Sequence, residues 1–270
     1  MSRSMKIKFY IITYNRPKEL DTTLTSLFES DITDYNVEFF IVNNYTDISL
    51  SPKFKDKVTV LENTFRPDNS TGHLSRNYNE IFLHGIKDIQ NPDCDILMHS
   101  HDDNLFNKDF VSNMLEYHKQ YNFITFSQGC GLCSYLPEGI DKIGMWDERF
   151  CTIGYHEGDY FIRALIYNKD QTSINDGNQG RLYNPLPPVC TKQPGTSQNE
   201  AHQTSFSNYS VCRQMWELKW PGRRDGGWTD LPKGPSTHMH MYYPYFEKHL
   251  SDLPVKYFAE IDAFGQPFLQ

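Results

Sequence analysis

The chain has 270 residues, of which 22% are charged, and a formal net charge of −8. That length buries a substantial core, and the charged fraction is ordinary for a globular protein, which excludes global disorder. The acidic balance argues against a nucleic-acid binder, whose phosphate contacts show as basic excess, and no apolar stretch reaches the roughly 20 residues of a membrane span.

Met1–Lys6 runs straight into a strand without the apolar core of a signal peptide. The expectation is a cytoplasmic protein whose six cysteines (Cys94, Cys130, Cys133, Cys151, Cys190 and Cys212) are reduced thiols. Lys6–Thr13 is β-branched and aromatic, as a buried parallel strand would be. Tyr14-Asn15-Arg16-Pro17 breaks it, and Pro17 suits the first turn of a helix, where its missing N–H costs nothing. Leu20, Leu24, Leu27 and Phe28 then carry helical spacing through Lys18–Glu29. Val37–Val42 and Val58–Leu61 read as further strands, the first ended by Asn43-Asn44-Tyr45-Thr46-Asp47. Ser75–Ile86 reads as a helix with Tyr78, Ile81, Phe82 and Ile86 on one face.

The next strand, starting at Asp95, breaks abruptly into His99-Ser100-His101-Asp102-Asp103-Asn104. A buried carboxylate must find a cation, a metal or donors, and in an α/β sheet the carboxyl end of a strand is where ligands sit. The stretch therefore predicts a divalent-metal site serving a phosphate-bearing substrate, with Asp103 as the main ligand and His101 or Asp102 assisting; a solvated turn is the alternative. Asp109–Tyr121 follows as a helix and Ile124–Ser127 as a strand. Asn168–Gln203 is dominated by polar and turn residues and reads as long loops, and Trp216–Trp228 mixes glycine with aromatic and basic side chains. The rhythm is that of an open, mixed, mostly parallel α/β sheet flanked by helices.

Together these residues resemble the nucleotide-sugar-dependent glycosyltransferases of the A-type fold, in particular the large inverting polysaccharide-type glycosyltransferase family 2. The resemblance runs through the opening strand into Thr13-Tyr14-Asn15-Arg16-Pro17 and through Ile41-Val42-Asn43-Asn44-Tyr45-Thr46-Asp47. It continues through Thr71-Gly72-His73-Leu74-Ser75-Arg76-Asn77, similar to a Gly-x-x-x-Arg-Asn helix start, and through His101-Asp102-Asp103 in place of Asp-x-Asp. Gly144-Met145-Trp146-Asp147-Glu148-Arg149-Phe150 resembles the family's Gly-Gly-Phe-Asp-Glu-Arg-Phe and leads into Tyr155-His156-Glu157-Gly158-Asp159, ahead of Arg163. Asn43 stands where the family carries Asp, and His101 replaces the first Asp of the metal motif.

The resemblance implies one domain over 1–270, with a nucleotide-sugar half over about 5–120, an acceptor half over about 121–245 and a tail over 246–270. It implies transfer of a hexosyl or pentosyl group, with inversion, from a nucleoside diphosphate-sugar to a glycan acceptor, as in polysaccharide biosynthesis. Mn2+ or Mg2+ would stabilise the leaving diphosphate, held by Asp103 and His101, with a histidine ligand favouring Mn2+. His238 and His240, separated by one residue, would be a second ligand source, with a His/Met-rich surface strand as the alternative. Glu157 would deprotonate the acceptor hydroxyl, with Asp159 the alternative base.

Thr13, Asn15, Arg16, Asn43 and Asp102 would line the donor. Arg76 would reach its phosphate or ribose, unless it makes a helix-surface ion pair. Arg223 and Arg224 would clamp the diphosphate. Trp216, Trp220 and Trp228 would stack on acceptor sugars, with core packing as the alternative. Two rival readings remain: a metal-dependent phosphohydrolase or nucleotidyltransferase using His99, His101, Asp102, Asp103 and His238, and a non-catalytic sugar- or nucleotide-binding module.

Overall fold

In the computed structural model, which describes residues 5–45, 48–63, 74–150, 154–176, 181–195 and 209–220, ten strands and six α-helices are numbered here in chain order. The strands are β1 (Lys6–Thr13), β2 (Asn36–Asn43), β3 (Thr59–Glu62), β4 (Ile96–His101), β5 (Asn104–Phe106), β6 (Phe123–Phe126), β7 (Leu132–Tyr135), β8 (Thr172–Asp176), β9 (Arg181–Tyr183) and β10 (Cys190–Lys192). The helices are α1 (Pro17–Phe28), α2 (Leu74–Ile86), α3 (Phe110–His118), α4 (Pro137–Ile143), α5 (Tyr155–Tyr167) and α6 (Tyr209–Lys219).

The chain divides into two compact units. The first holds the described residues of Met1–Asn69, Asp93–Pro137 and Gln171–Gln198; the second holds those of Ser70–Pro92, Glu138–Asp170 and Asn199–Gln270. The division is therefore interleaved along the sequence. The chain leaves the first unit after β3, returns with β4, and returns again with β8, because sheet pairing joins segments far apart in sequence.

The first unit contains an eight-stranded sheet of order β3-β2-β1-β4-β7-β6-β8-β9 and a two-stranded ribbon of β5 and β10. β1 runs parallel to both β2 and β4, while β7 is antiparallel to β4 and β6. The expected open, mixed, mostly parallel sheet is the observed one. Alternation along β1 turns Ile7, Phe9 and Ile11 to one face. There they join Leu20, Leu24 and Leu27 of α1 and Phe110, Val111 and Met114 of α3 in one core. Phe9 meets Phe106 and Phe110 edge-on at 5.7 and 5.9 Å. Each such side chain contributes about 1.5–3 kcal/mol through burial. On the opposite face the Lys8 ammonium, also buried, pairs with Asp93 at 2.8 Å, and Tyr10 stacks on Phe40 at 4.7 Å.

The second unit has its own core of Phe150, Tyr155, Ile162, Cys212, Trp216 and Trp220, and Trp146 stacks on Tyr160 at 4.0 Å. Asn168–Gln203, expected as loops, contains β8, β9 and β10. β8 (Thr-Ser-Ile-Asn-Asp) has one apolar residue, so it shows no alternation; its ladder to β6 holds it in the sheet instead. The five described cysteines are buried and none of them is in a disulfide, whereas Cys151 lies outside the described residues.

Candidate functional site

β1 has β2 and β3 on one side and β4 on the other, so the strand order reverses at the β1/β4 pair. Such a switch point opens a crevice at the carboxyl ends of the strands. Here β1 delivers Thr13 and Arg16, and β4 delivers Asp102 and Asp103. The Thr13 hydroxyl donates to Asp102 Oδ2 at 2.7 Å, and Arg16 Nη1 lies 3.2 Å from Asp102 Oδ1 and 3.4 Å from Asp103 Oδ2. Asn15 links them with φ 46°, the left-handed region that Asn tolerates better than most residues. Asn15 thus shapes the β1–α1 turn that presents Arg16.

After β4 a tight turn carries Asp102 and Asp103 into β5, and β10 pairs antiparallel with β5, setting Lys192 opposite Asn104. The Gln193 N–H donates to the Asp103 carbonyl at 2.7 Å, and Lys192 Nζ reaches Asp103 Oδ1 at 2.6 Å. Asn104 braces the turn by donating to Ser100 Oγ at 2.8 Å and to the Gly131 carbonyl at 2.6 Å.

The two carboxyls diverge. Burial, reinforced by the charge of Asp103, pushes Asp102 up to about 7 against the pull of Arg16 and Thr13. Burial also acts on Asp103, but Lys192, His101 and Arg16 together hold it below the usual carboxylate range. The turn thus carries one firmly ionised carboxylate with two cations against it.

The expected Mn2+ or Mg2+ would need open oxygens on these residues. Both oxygens of Asp103 already face cations, and Asp102 is turned to Thr13 and Arg16. Among the described residues, His101, Asp102 and Asp103 do not bring three ligand atoms within 4.8 Å of one another. As built, the turn fits a carboxylate neutralised by side chains rather than a metal seat. His99, a ligand in the phosphohydrolase reading, is fully buried with Nε2 3.0 Å from the Tyr135 hydroxyl, and burial lowers its pKa. It is a sheet residue.

Asn43 ends β2 and is also buried. Its amide donates to the Tyr45 carbonyl at 2.7 Å and to Glu62 Oε2 at 2.8 Å, and its Oδ1 accepts from the Tyr45 N–H at 3.1 Å. The residue therefore organises the turn after β2 and positions a carboxylate at the end of β3.

The second unit holds the Glu157 region. α5 starts after Gly154, whose φ of 94° favours glycine, and places Glu157 in its first turn. Glu157 is buried, and Oε2 lies 3.1 Å from His156 Nδ1 but has no hydrogen-bond partner among the described residues. Asp159, the alternative base, is committed elsewhere. It accepts from Arg163 Nε at 3.0 Å and Trp220 Nε1 at 2.9 Å, and it pairs with Lys219 Nζ at 2.7 Å. Lys219 also holds Asp147 at 2.7 Å, and Arg149 holds Asp147 at 2.6 Å. Burial opposes ionisation of Asp147, yet these two cations keep it well below the usual range. The Asp-Glu-Arg of residues 147–149 is thus an ion-pair network.

Arg76 belongs to that unit and pairs with Glu148 at 2.7 Å. Trp216 and Trp220 are 1% and 0% exposed in the core of that unit. This corrects their assignment to the acceptor, since a sugar face cannot stack on an enclosed ring. Arg223, Arg224, Trp228, His238 and His240 lie outside the described residues. Lys192 escaped the sequence reading because its three-residue strand is flanked by prolines and polar residues and carries no motif.

Among solved structures, the chain is similar to the mannosyltransferase PcManGT from Pyrobaculum calidifontis, in complex with GDP-Man and Mn2+, with a TM-score of 0.49 and 11% identity over 78% of this chain and 65% of that one. It spans slightly less than two thirds of that protein. It is also similar to the 1–349 fragment of TarS from S. aureus, with a TM-score of 0.49 and 13% identity over 81% of this chain and 76% of that one. A third similar structure is that fragment in complex with UDP, with a TM-score of 0.49 and 12% identity over 79% and 72%. No protein-family model matches the chain, and no curated protein does.

Proposed function

We propose that the protein is a glycosyltransferase that moves a sugar from a nucleoside diphosphate-sugar to a glycan hydroxyl with inversion. The observation that carries the reading is the Thr13–Arg16–Asp102–Asp103 cluster at the β1/β4 switch point, where a nucleotide finds strand ends, a guanidinium and a paired ammonium together. The ordered motifs from Thr13 to Asp159 support the same donor class.

In this reading the departing diphosphate gains charge as the glycosidic bond breaks, and Arg16 and Lys192 lie where that charge is met. Mn2+ or Mg2+, the expected cofactor, would supply Lewis-acid charge to the diphosphate, and Asp103 would be open to hold it only with Lys192 displaced. Glu157 accepts the proton of the attacking hydroxyl, a role open to it because one oxygen has no hydrogen-bond partner among the described residues. A single displacement needs one base and no carboxylate nucleophile, consistent with Asp159 being bound to cations.

The test is acceptor-dependent release of nucleoside diphosphate from a panel of UDP-, GDP- and dTDP-sugars, with the product's anomeric configuration read by NMR. Release only with a glycan acceptor, and an inverted product, is expected. Phosphate release without acceptor would favour the phosphohydrolase reading instead. Binding without turnover across an acceptor panel would favour the non-catalytic module.

A further inference from the structure

We propose that Lys192 is a donor-binding residue whose ammonium, seated on Asp103, holds the diphosphate of the donor and makes donor binding independent of a divalent cation. The inference rests on the glycosyltransferase reading above.

The position of the ammonium is built by the backbone. Lys192 is fixed opposite Asn104 by the β5–β10 ribbon, and the next residue is anchored on two sides. The Gln193 N–H donates to the Asp103 carbonyl at 2.7 Å, and its side-chain amide donates to the Glu19 carbonyl at 3.0 Å and Thr23 Oγ1 at 2.8 Å on the α1 side. A surface lysine pairing by chance has no such bracing.

Its chemistry suits a diphosphate. An ammonium carries three N–H donors, and Asp103 is the one partner Lys192 has among the described residues. The side chain keeps 18% of its surface open. It also lines a cleft of about 750 Å³ together with Ser127, Gln128, Asn175, Thr191 and Gln193. Donors remain for a phosphate oxygen entering from the cleft, which Arg16, seated on the other oxygen of Asp103, does not line.

A metal ion would compete for the same place. Divalent Mg2+ sits about 2.0–2.1 Å from its oxygen ligands, and Asp103 Oδ1 already has Lys192 at 2.6 Å. A dication there would stand against two cations across a few ångströms, where like charges repel strongly in a partly buried site. Lys192 and a metal are therefore alternative ways to place positive charge on Asp103.

The experiment is isothermal titration calorimetry of the full chain with UDP, GDP and inorganic pyrophosphate, in EDTA and in Mn2+. Expected for the wild type is binding of a nucleoside diphosphate in EDTA, with affinity changed less than about threefold by Mn2+. Lys192→Ala should lose about tenfold or more in EDTA and recover on adding Mn2+, which can then occupy the vacated carboxylate. Lys192→Arg should keep metal-free binding, and thermal melts of both variants exclude unfolding. Wild-type binding that appears only with Mn2+, or Lys192→Ala binding like the wild type in EDTA, overturns the proposal while leaving a nucleotide-binding site. No nucleoside diphosphate binding under either condition overturns the glycosyltransferase reading as well.

Discussion

Thr13 Oγ1 donates to Asp102 Oδ2 at 2.7 Å across the carboxyl ends of β1 and β4, one step beyond the last ladder pair, Ile12 and His101. The bond joins the two strands at which the sheet order reverses, and it is one of the few donors available to a carboxyl buried to 4% exposure. Thr13→Val should therefore destabilise the fold by about 1–3 kcal/mol at pH 8, where Asp102 is ionised and loses its neutral donor. Thr13→Ser should retain most of that stability. Urea denaturation of the three proteins checks this.

Glu157 and Asp159 should separate cleanly. Glu157→Gln is expected to lower transfer by about 10²–10⁴-fold while leaving nucleotide affinity unchanged. Turnover like the wild type would sink the base assignment. Asp159→Asn is expected to act on stability, by roughly 3–5 kcal/mol, because it strips a carboxylate from buried Lys219 and Arg163. Chemical denaturation with parallel activity assays distinguishes the two.

The first half of the fold was legible because its elements obey simple periodicities. Lys6–Thr13 reads as a strand residue for residue, and Pro17 marks the start of α1. Asp102 and Asp103 stood out because carboxylates at a buried strand end demand partners. Elements built on polar sequence escaped. β8 hides Thr172, Ser173 and Asp176 in the interior, and backbone pairing fixes it without any apolar signature. Lys192 was illegible for a related reason: its importance comes from an ion pair, set up by the β5–β10 ribbon, between residues 89 apart in sequence. Trp216 and Trp220 misled because a tryptophan rich in stacking potential is equally a core anchor, and sequence alone does not choose between them.

Acid should act through His118. Its Nδ1–H donates to the Tyr121 carbonyl at 2.8 Å, and Nε2, 2.6 Å from Ser134 Oγ, accepts the Ser134 hydroxyl. Burial lowers its pKa from 6.5 to about 4. Below pH 6.5 the unfolded chain takes up a proton that the folded chain refuses, so stability from this group is full above 6.5 and is lost as pH falls toward 4. The loss amounts to roughly 3 kcal/mol. Asp102, raised to about 7, works in the opposite sense over the same range. The diagnostic is therefore the comparison: His118→Gln should show a weaker fall in melting temperature between pH 7 and pH 4.5 than the wild type.

Asn15 tests whether the β1–α1 turn presents Arg16 through its backbone. Asn15→Gly adopts φ 46° without strain and should keep nucleotide affinity, whereas β-branched Asn15→Val should weaken it and cost about 1–2 kcal/mol of stability. Equal affinity in all three proteins would show that the turn does not depend on this conformation.

Lys219, the last residue of α6, is wholly buried between Asp147 and Asp159, two carboxylates contributed by segments more than fifty residues upstream. Its own charged form is penalised by burial and sustained by those partners. A fragment ending before Tyr209 would leave both carboxylates enclosed without their shared cation and would open the cavity filled by Trp216 and Trp220. Limited proteolysis of the folded protein should accordingly spare Tyr209–Trp220, and soluble shortened forms should carry their C-terminal boundary beyond Trp220.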